Sequence, residues 1–323
     1  MKITKVTPYP FFAGPKNLML CRVDTDEGVY GWGEAYVVQG KEKAVQLYIE
    51  AMEAYMIGRS PFEIKHSGTA MFDDFSIRRS SCDFYAAWSA IEIAMWDIAG
   101  KVCGQPVYNL LGGPCREKIR LYANGWWGGA KSIDETVERA LAVKGKGFTA
   151  MKWDPFQGYW RNYITPAQED YAVECVKAVR EAVGPDVDLL VEVHRRLSPY
   201  HAIHFSERIQ EFNPFWIEEP CLADNIDLIA QAHAGIKAPV VTGETLYNKE
   251  AFTSLIGCFF LAVGLEGWLV EKINIPCRIL ALGAAFCCIA AGLVTDLIGL
   301  GLIVAFLLLH KGTRHKLLRK KSA

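Results

Sequence analysis

Three evenly spaced glutamates constrain this chain more than any other feature. Glu192, Glu218 and Glu244 stand at or near the ends of the apolar runs VDLLVEVH, PFWIEEP and APVVTGE, and each follows the last by 26 residues. Runs so rich in Val, Ile, Leu and aromatic residues suit parallel strands covered on both faces. A strand, a helix and two loops of ordinary length use about that much chain, so the spacing predicts all three carboxylates at the same end of successive βα units. In a (β/α) barrel that end carries the chemistry. Carboxylates crowded into a low-dielectric mouth repel one another unless a cation lies between them, and oxygen-only ligands favour Mg²⁺.

The rest of the chain divides into unlike parts. Residues 1–255 mix charges in a soluble pattern, whereas from Ile256 to Leu309 only Glu266, Glu271, Lys272, Arg278 and Asp296 are charged. With 323 residues, 51% hydrophobic, the chain is long enough for a barrel and a second domain, and a net charge of -1 argues against a nucleic-acid partner. Ten cysteines without a CxxC pair, behind an N-terminus with no apolar signal-peptide core, point to reduced thiols in a cytosolic domain.

In chain order, MKITKVTPYPFF and MLCRVDTDEGVYGWGEA read as an antiparallel sheet turning at Asp26, Glu27 and Gly28. Helical periodicity follows over about 41–55 and 85–103, the second closed by Gly104. A first barrel strand is expected at IRLYANG, a capping box at Ser132 and Glu135, and a second strand at FTAMKWDP, ending in Lys152, Trp153 and Asp154. Helices at about 166–183, 199–212, 225–234 and 248–255 then alternate with the three acid-bearing strands, the pattern of βαβ units. Lys152 at its strand end is a candidate base, because a partly desolvated site beside a divalent cation would lower its pKa. His194 lies two residues beyond Glu192, on the same face of its strand, where it could protonate a departing hydroxyl. Arg195 and Arg196 are candidates for holding a substrate carboxylate or hydroxyl.

The segments LLVEVHRR, FWIEEP and VVTGE resemble the third, fourth and fifth strand ends of the enolase superfamily, in its mandelate racemase and muconate lactonizing enzyme branch. The stretch 86–113 is similar to the helices joining its capping domain to its barrel, and GVYGWGEA to its cap. The resemblance implies an α+β capping domain over 1–115 and a (β/α) barrel over 116–255, with Glu192, Glu218 and Glu244 as Mg²⁺ ligands. Glu192 stands where Asp is more usual, and with Val193 and His194 it is similar to a subset of sugar-acid dehydratases. The implied reaction is α-proton abstraction from an aldonate through a Mg²⁺-stabilised enediolate, with His194 assisting loss of the 3-hydroxyl to give a 2-keto-3-deoxy acid. The family often has Lys-x-Lys at the second strand; here Asp154 replaces the second lysine, so the identity of the base stays open, and Asp154 joins Arg195 and Arg196 as a substrate-binding candidate.

Beyond TLYNKEAFTSLI the text changes, and the family's remaining strands, with their Asp and His dyad, are not recognised. Five of the usual strands and impaired activity are therefore expected. The tail, 256–323, is similar at GLEGWLV and GLVTDLIGL to the end of a fused TRAP transporter permease. Its uncharged runs Ile279–Thr295 and Leu297–Leu309 would together span about 46 Å as one helix, more than the roughly 30 Å of a bilayer core, so a transmembrane hairpin turning near Thr295 and Asp296 is expected. Six Lys and Arg between Lys311 and Lys321 then place the C-terminus on the cytoplasmic side. Membrane lipid and a small acid sugar are the expected partners, with homo-oligomerisation left open; without a membrane tail the chain would be cytoplasmic. A nonenzymatic, membrane-tethered hybrid is the competing reading, and a racemase or cycloisomerase the alternative within the enzyme class.

Overall fold

The computed structural model describes residues 1–14, 16–75, 81–158, 164–223, 226–246, 249–269, 271–289 and 293–310. They fall into two compact units, Met1–Ile119 and Arg120–Ala323.

The first unit pairs β1 (Ile3–Phe12), β2 (Asn17–Thr25) and β3 (Tyr30–Ala35) in an antiparallel sheet, in that order. It is followed by α1 (Glu42–Met56), α2 (Ile64–Asp74), α3 (Cys82–Cys103) and the short α4 (Val107–Leu110). Strict alternation in β2 sends Met19, Cys21 and Val23 into the core, where they join Ile91, Ala94, Met95 and Ile98 of α3. Ser81 caps α3 by accepting from the Phe84 N–H at 3.1 Å, and Gly104 closes it in the left-handed region at φ 60°. The glycines of GVYGWGEA have a packing reason. β3 lies against the backbone of α3, and a Cβ on Gly31 or Gly33 would strike the carbonyl oxygen of Ala94 or Ala90.

The second unit holds α5 (Ile133–Gly145), β4 (Ala150–Trp153), α6 (Pro166–Val183), β5 (Asp188–Glu192), α7 (Pro199–Ile209), β6 (Trp216–Glu218), α8 (Ile226–Gly235) and β7 (Val240–Val241). The four strands form one parallel sheet in sequential order. Instead of a first barrel strand, the IRLYANG segment contributes an isolated parallel bridge from Ala123 to Met151. Buried Met151, Trp153, Leu189, Val191 and Ile217 on the strands pack with Ala172, Val176 and Val179 of α6 and Ala202 and Phe205 of α7. Ser132 caps α5 through the Glu135 N–H at 3.2 Å, but the Glu135 carboxylate accepts from the Lys131 N–H, one residue short of a closed box. Thr165 and Gln168 form the complete capping box, at the start of α6.

α9 (Lys249–Glu266) runs unbroken through position 256, where the sequence changes character. After the short strands β8 (Trp268–Leu269) and β9 (Glu271–Lys272) come α10 (Ile275–Ile289) and α11 (Leu293–Leu309). Arg278 of α10 donates to the Gly264 and Leu265 carbonyls at the end of α9, and Asn274 caps α10 through the Cys277 N–H. Phe260, Val263, Cys277, Ala281, Ala284, Ala285 and Phe306 bury one face of this helical group.

The expectation of a transmembrane hairpin is corrected here: no helix among the described residues is long and apolar enough to cross a membrane. Within the uncharged run from Ile279, the described residues belong to α10 as far as Ile289 and to α11 from Leu293. At roughly 1.5 Å per residue the 15 residues of α10 fall short of a bilayer core. Thr295 and Asp296, expected at the turn, lie inside α11, where Asp296 suits the positive end of the helix. The basic segment from Lys311 to Lys321, with His315, lies outside the described residues.

The close approach of β3 to α3 predicts that Gly33→Ala destabilises the chain by at least about 1–3 kcal/mol through overpacking. Gly145→Ala, where a Cβ meets nothing within 4 Å, should leave stability unchanged or raise it. Paired denaturant unfolding curves of the two variants check this contrast.

Candidate active site

The parallel register brings two of the three glutamates face to face. Glu192 ends β5, Glu218 ends β6, and the two are direct partners in the ladder. Lys152 enters from β4, one strand over, and its Nζ donates to Glu192 Oε2 at 3.0 Å and to Glu218 Oε1 at 2.5 Å. All three side chains are buried or nearly so. The remaining oxygens are also engaged: Glu192 Oε1 accepts from the His194 N–H at 2.9 Å, and Glu218 Oε2 from the Trp216 indole at 3.0 Å. Trp216 stacks edge-on with Tyr122, whose ring lies 5.9 Å from Lys152 Nζ.

Burial alone would lower the Lys152 pKa, but hydrogen bonds and charge from Glu218 and Glu192 outweigh it and hold the ammonium above its ordinary value. The expectation of a lowered pKa concerns a site that holds a divalent cation; with the carboxylates as its neighbours the ammonium is instead favoured. Glu218 is raised by burial and by Glu192, with Lys152 offsetting only part. One ammonium does not neutralise two carboxylates in so dry a site.

Glu244 stands beyond β7. Its side chain is 42% exposed and ion-paired with Arg195. No group of three or more His, Cys, Asp or Glu among the described residues is arranged to hold a metal ion. Glu192 and Glu218 nonetheless fit a cation as a pair of oxygen donors, with the Lys152 ammonium standing in for it.

Asp154, two residues past Lys152, has a buried side chain. Its Oδ2 lies 2.8 Å from His194 Nδ1 and 2.5 Å from the Arg196 guanidinium, and its Oδ1 accepts from the Phe156 N–H at 2.9 Å. Asp154 and Arg196 thus meet each other, at the wall of a cavity of about 530 Å³ also lined by Trp127, Gln157, Tyr171 and Cys175. Burial pushes the Cys175 thiol up to about 11, which makes it a poor nucleophile.

Two contributors were missed in the sequence. Trp216 shares a strand face with Glu218 at i and i+2, which was a usable signal. Glu219 carries no such signal. It is fully buried at φ 46°, and its Oε1 collects the Thr242 hydroxyl, the Gly243 N–H and the Glu244 N–H, fixing the loop that carries Glu244. His194 and Arg195 are also left-handed, at φ 54° and 62°, so the chain turns sharply at the strand end.

Two family models match in tandem: the N-terminal domain of mandelate racemase / muconate lactonizing enzyme over residues 13–112, and an enolase C-terminal domain-like model over 135–258. A solved mandelate racemase/muconate lactonizing enzyme-like protein from Roseovarius sp. TM1035 superposes at a TM-score of 0.74 with 30% identity, covering 79% of this chain and 69% of that one. The chain belongs to the mandelate racemase/muconate lactonizing enzyme family. Among its relatives in that family, a D-gluconate dehydratase of Thermoproteus tenax is 33% identical, over 83% of this chain and 54% of that protein. A D-galactonate dehydratase of Verminephrobacter eiseniae is also 33% identical, over 81% of this chain and 66% of that protein. The chain therefore spans about half to two-thirds of the length of these curated relatives. Neither family model extends past residue 258, and the expected likeness of the tail to a transporter permease has no counterpart among these matches.

The buried Lys152 pairing predicts that Lys152→Met, which leaves Glu192 and Glu218 facing each other without a counter-charge, lowers stability by about 3–5 kcal/mol. Adding Glu218→Gln to that variant should recover part of the loss. Urea unfolding of the single and double variants measures both effects.

Proposed function

We propose that this chain is a Mg²⁺-dependent sugar-acid dehydratase acting on an aldonate such as gluconate or galactonate. The observation that carries the reading is the placing of Lys152, between Glu192 and Glu218, and of His194, on Asp154, at the ends of adjacent parallel strands. That pairs a candidate base with a candidate acid. The dehydratase names of the relatives support the substrate class.

Glu192 and Glu218 would hold the metal, with Glu244 as a third ligand once released from Arg195. When bound, Mg²⁺ supplies Lewis-acid polarisation of the substrate carboxylate, which lowers the cost of removing the α-proton. Lys152 takes that proton from the α-carbon. As paired here the lysine is an ammonium and cannot accept one; with the carboxylates engaged elsewhere, burial is the dominant influence left on it, and burial lowers its pKa. Electrons from the broken C–H bond enter an enediolate and then expel the 3-hydroxyl, which leaves as water with a proton from His194. The resulting enol tautomerises to a 2-keto-3-deoxy acid. Arg195, freed from Glu244, is the guanidinium proposed to hold a substrate oxygen.

The purified chain, incubated with Mg²⁺ and gluconate or galactonate in D₂O, should release 2-keto-3-deoxy acid and exchange its substrate's α-proton. Lys152→Met should abolish both readouts, whereas His194→Asn should retain exchange and lose dehydration by about 10²–10⁴-fold. Exchange without any dehydration by the unmodified chain would overturn the reading in favour of a racemase, and neither activity on an aldonate panel would overturn it altogether.

A further inference from the structure

We infer that Asp154 is a positioning residue that fixes the tautomer and direction of the His194 imidazole, rather than a ligand for substrate. This rests on the proposed role of His194 as the acid of the dehydration.

Counting acceptors makes the case. A carboxylate offers about four lone-pair directions. On Asp154, Oδ1 receives the Phe156 N–H at 2.9 Å and Arg196 at 3.3 Å, while Oδ2 receives Arg196 at 2.5 Å and meets His194 Nδ1 at 2.8 Å. Nothing remains for a sugar hydroxyl. The side chain is only 6% exposed, and Arg196 at 15% is nearly as enclosed, so the pair is an internal fixture.

His194 needs such a fixture. Its ring is 37% exposed at a left-handed turn of the backbone, and Asp154 Oδ2 meets its Nδ1 at 2.8 Å. Both neighbours on Asp154 other than His194 are obligate donors, an N–H and a guanidinium. They keep Asp154 an acceptor, so Nδ1 must carry the hydrogen between them. In free histidine the neutral ring favours hydrogen on Nε2; here that preference is reversed, so Nε2 is the nitrogen that takes up a second proton, and the imidazolium so formed gives that proton to the departing hydroxyl.

The inference is tested on the full chain with ¹⁵N-labelled histidine, by long-range ¹H–¹⁵N correlation well above the ordinary histidine pKa of about 6.5. His194→Asn identifies the signal. The expected result is a neutral His194 protonated on Nδ1 in the unmodified chain, switching to Nε2 protonation in Asp154→Ala. Asp154→Asn provides a second variant that preserves size: its single oxygen is claimed by Arg196 and the Phe156 N–H, so its NH₂ faces the ring and forces the same switch. The ratio of dehydration to α-proton exchange should fall by about 10²–10⁴-fold in both variants. An unchanged His194 tautomer in both variants overturns the inference, even if the chain is an active dehydratase. Failure of the unmodified chain to turn over an aldonate overturns the functional reading instead and leaves the tautomer result standing.

Discussion

The Lys152 ammonium, held between two buried carboxylates, ties the charge balance of this protein to the register of its sheet. Glu192 and Glu218 are ladder partners, and Lys152 reaches both from the next strand. A slip of one residue in any of the three strands would turn one member of the trio to the opposite face and strand the others in the interior without a partner. The trio is also unbalanced, one positive group against two negative. Burial first, and then Glu192, raises the proton affinity of Glu218, and Lys152 offsets only part of that.

Around this trio the chain bends sharply without losing its pairing. His194, Arg195 and Glu219 adopt left-handed conformations, yet the Arg195 N–H still donates to the Glu219 carbonyl and the Glu219 N–H to the Val241 carbonyl. The ladder therefore continues past the strands as a scaffold for loops. β7 contributes two residues, too few to fix the Glu244 segment alone, and the three donors gathered by Glu219 do that work instead.

What was legible in the sequence was periodic. The apolar runs and their spacing located β5 and β6 and the helices between them, and α6 begins at Pro166 and ends at Val183 as its pattern implied. What was not legible was partnership across long separations. Asp154 and His194 are forty positions apart, and no local pattern distinguishes an aspartate that orients a histidine from one that binds substrate. Arg195 and Arg196 are adjacent yet serve Glu244 and Asp154 respectively, because the left-handed backbone at 195 splits their directions. The tail misled for a different reason: hydropathy counts apolar residues but does not register helix length, and no helix among the described residues is long and apolar enough to cross a membrane.

The unbroken course of α9 has a consequence for how this protein opens and closes locally. The helix begins a few residues after the Glu244 loop and ends under Arg278 of the C-terminal group, so it belongs to two neighbourhoods at once. Amide protection along it is therefore expected to differ between its first turns, beside the Glu244 loop, and its last turns, whose carbonyls Arg278 holds, as two foldons sharing one rod.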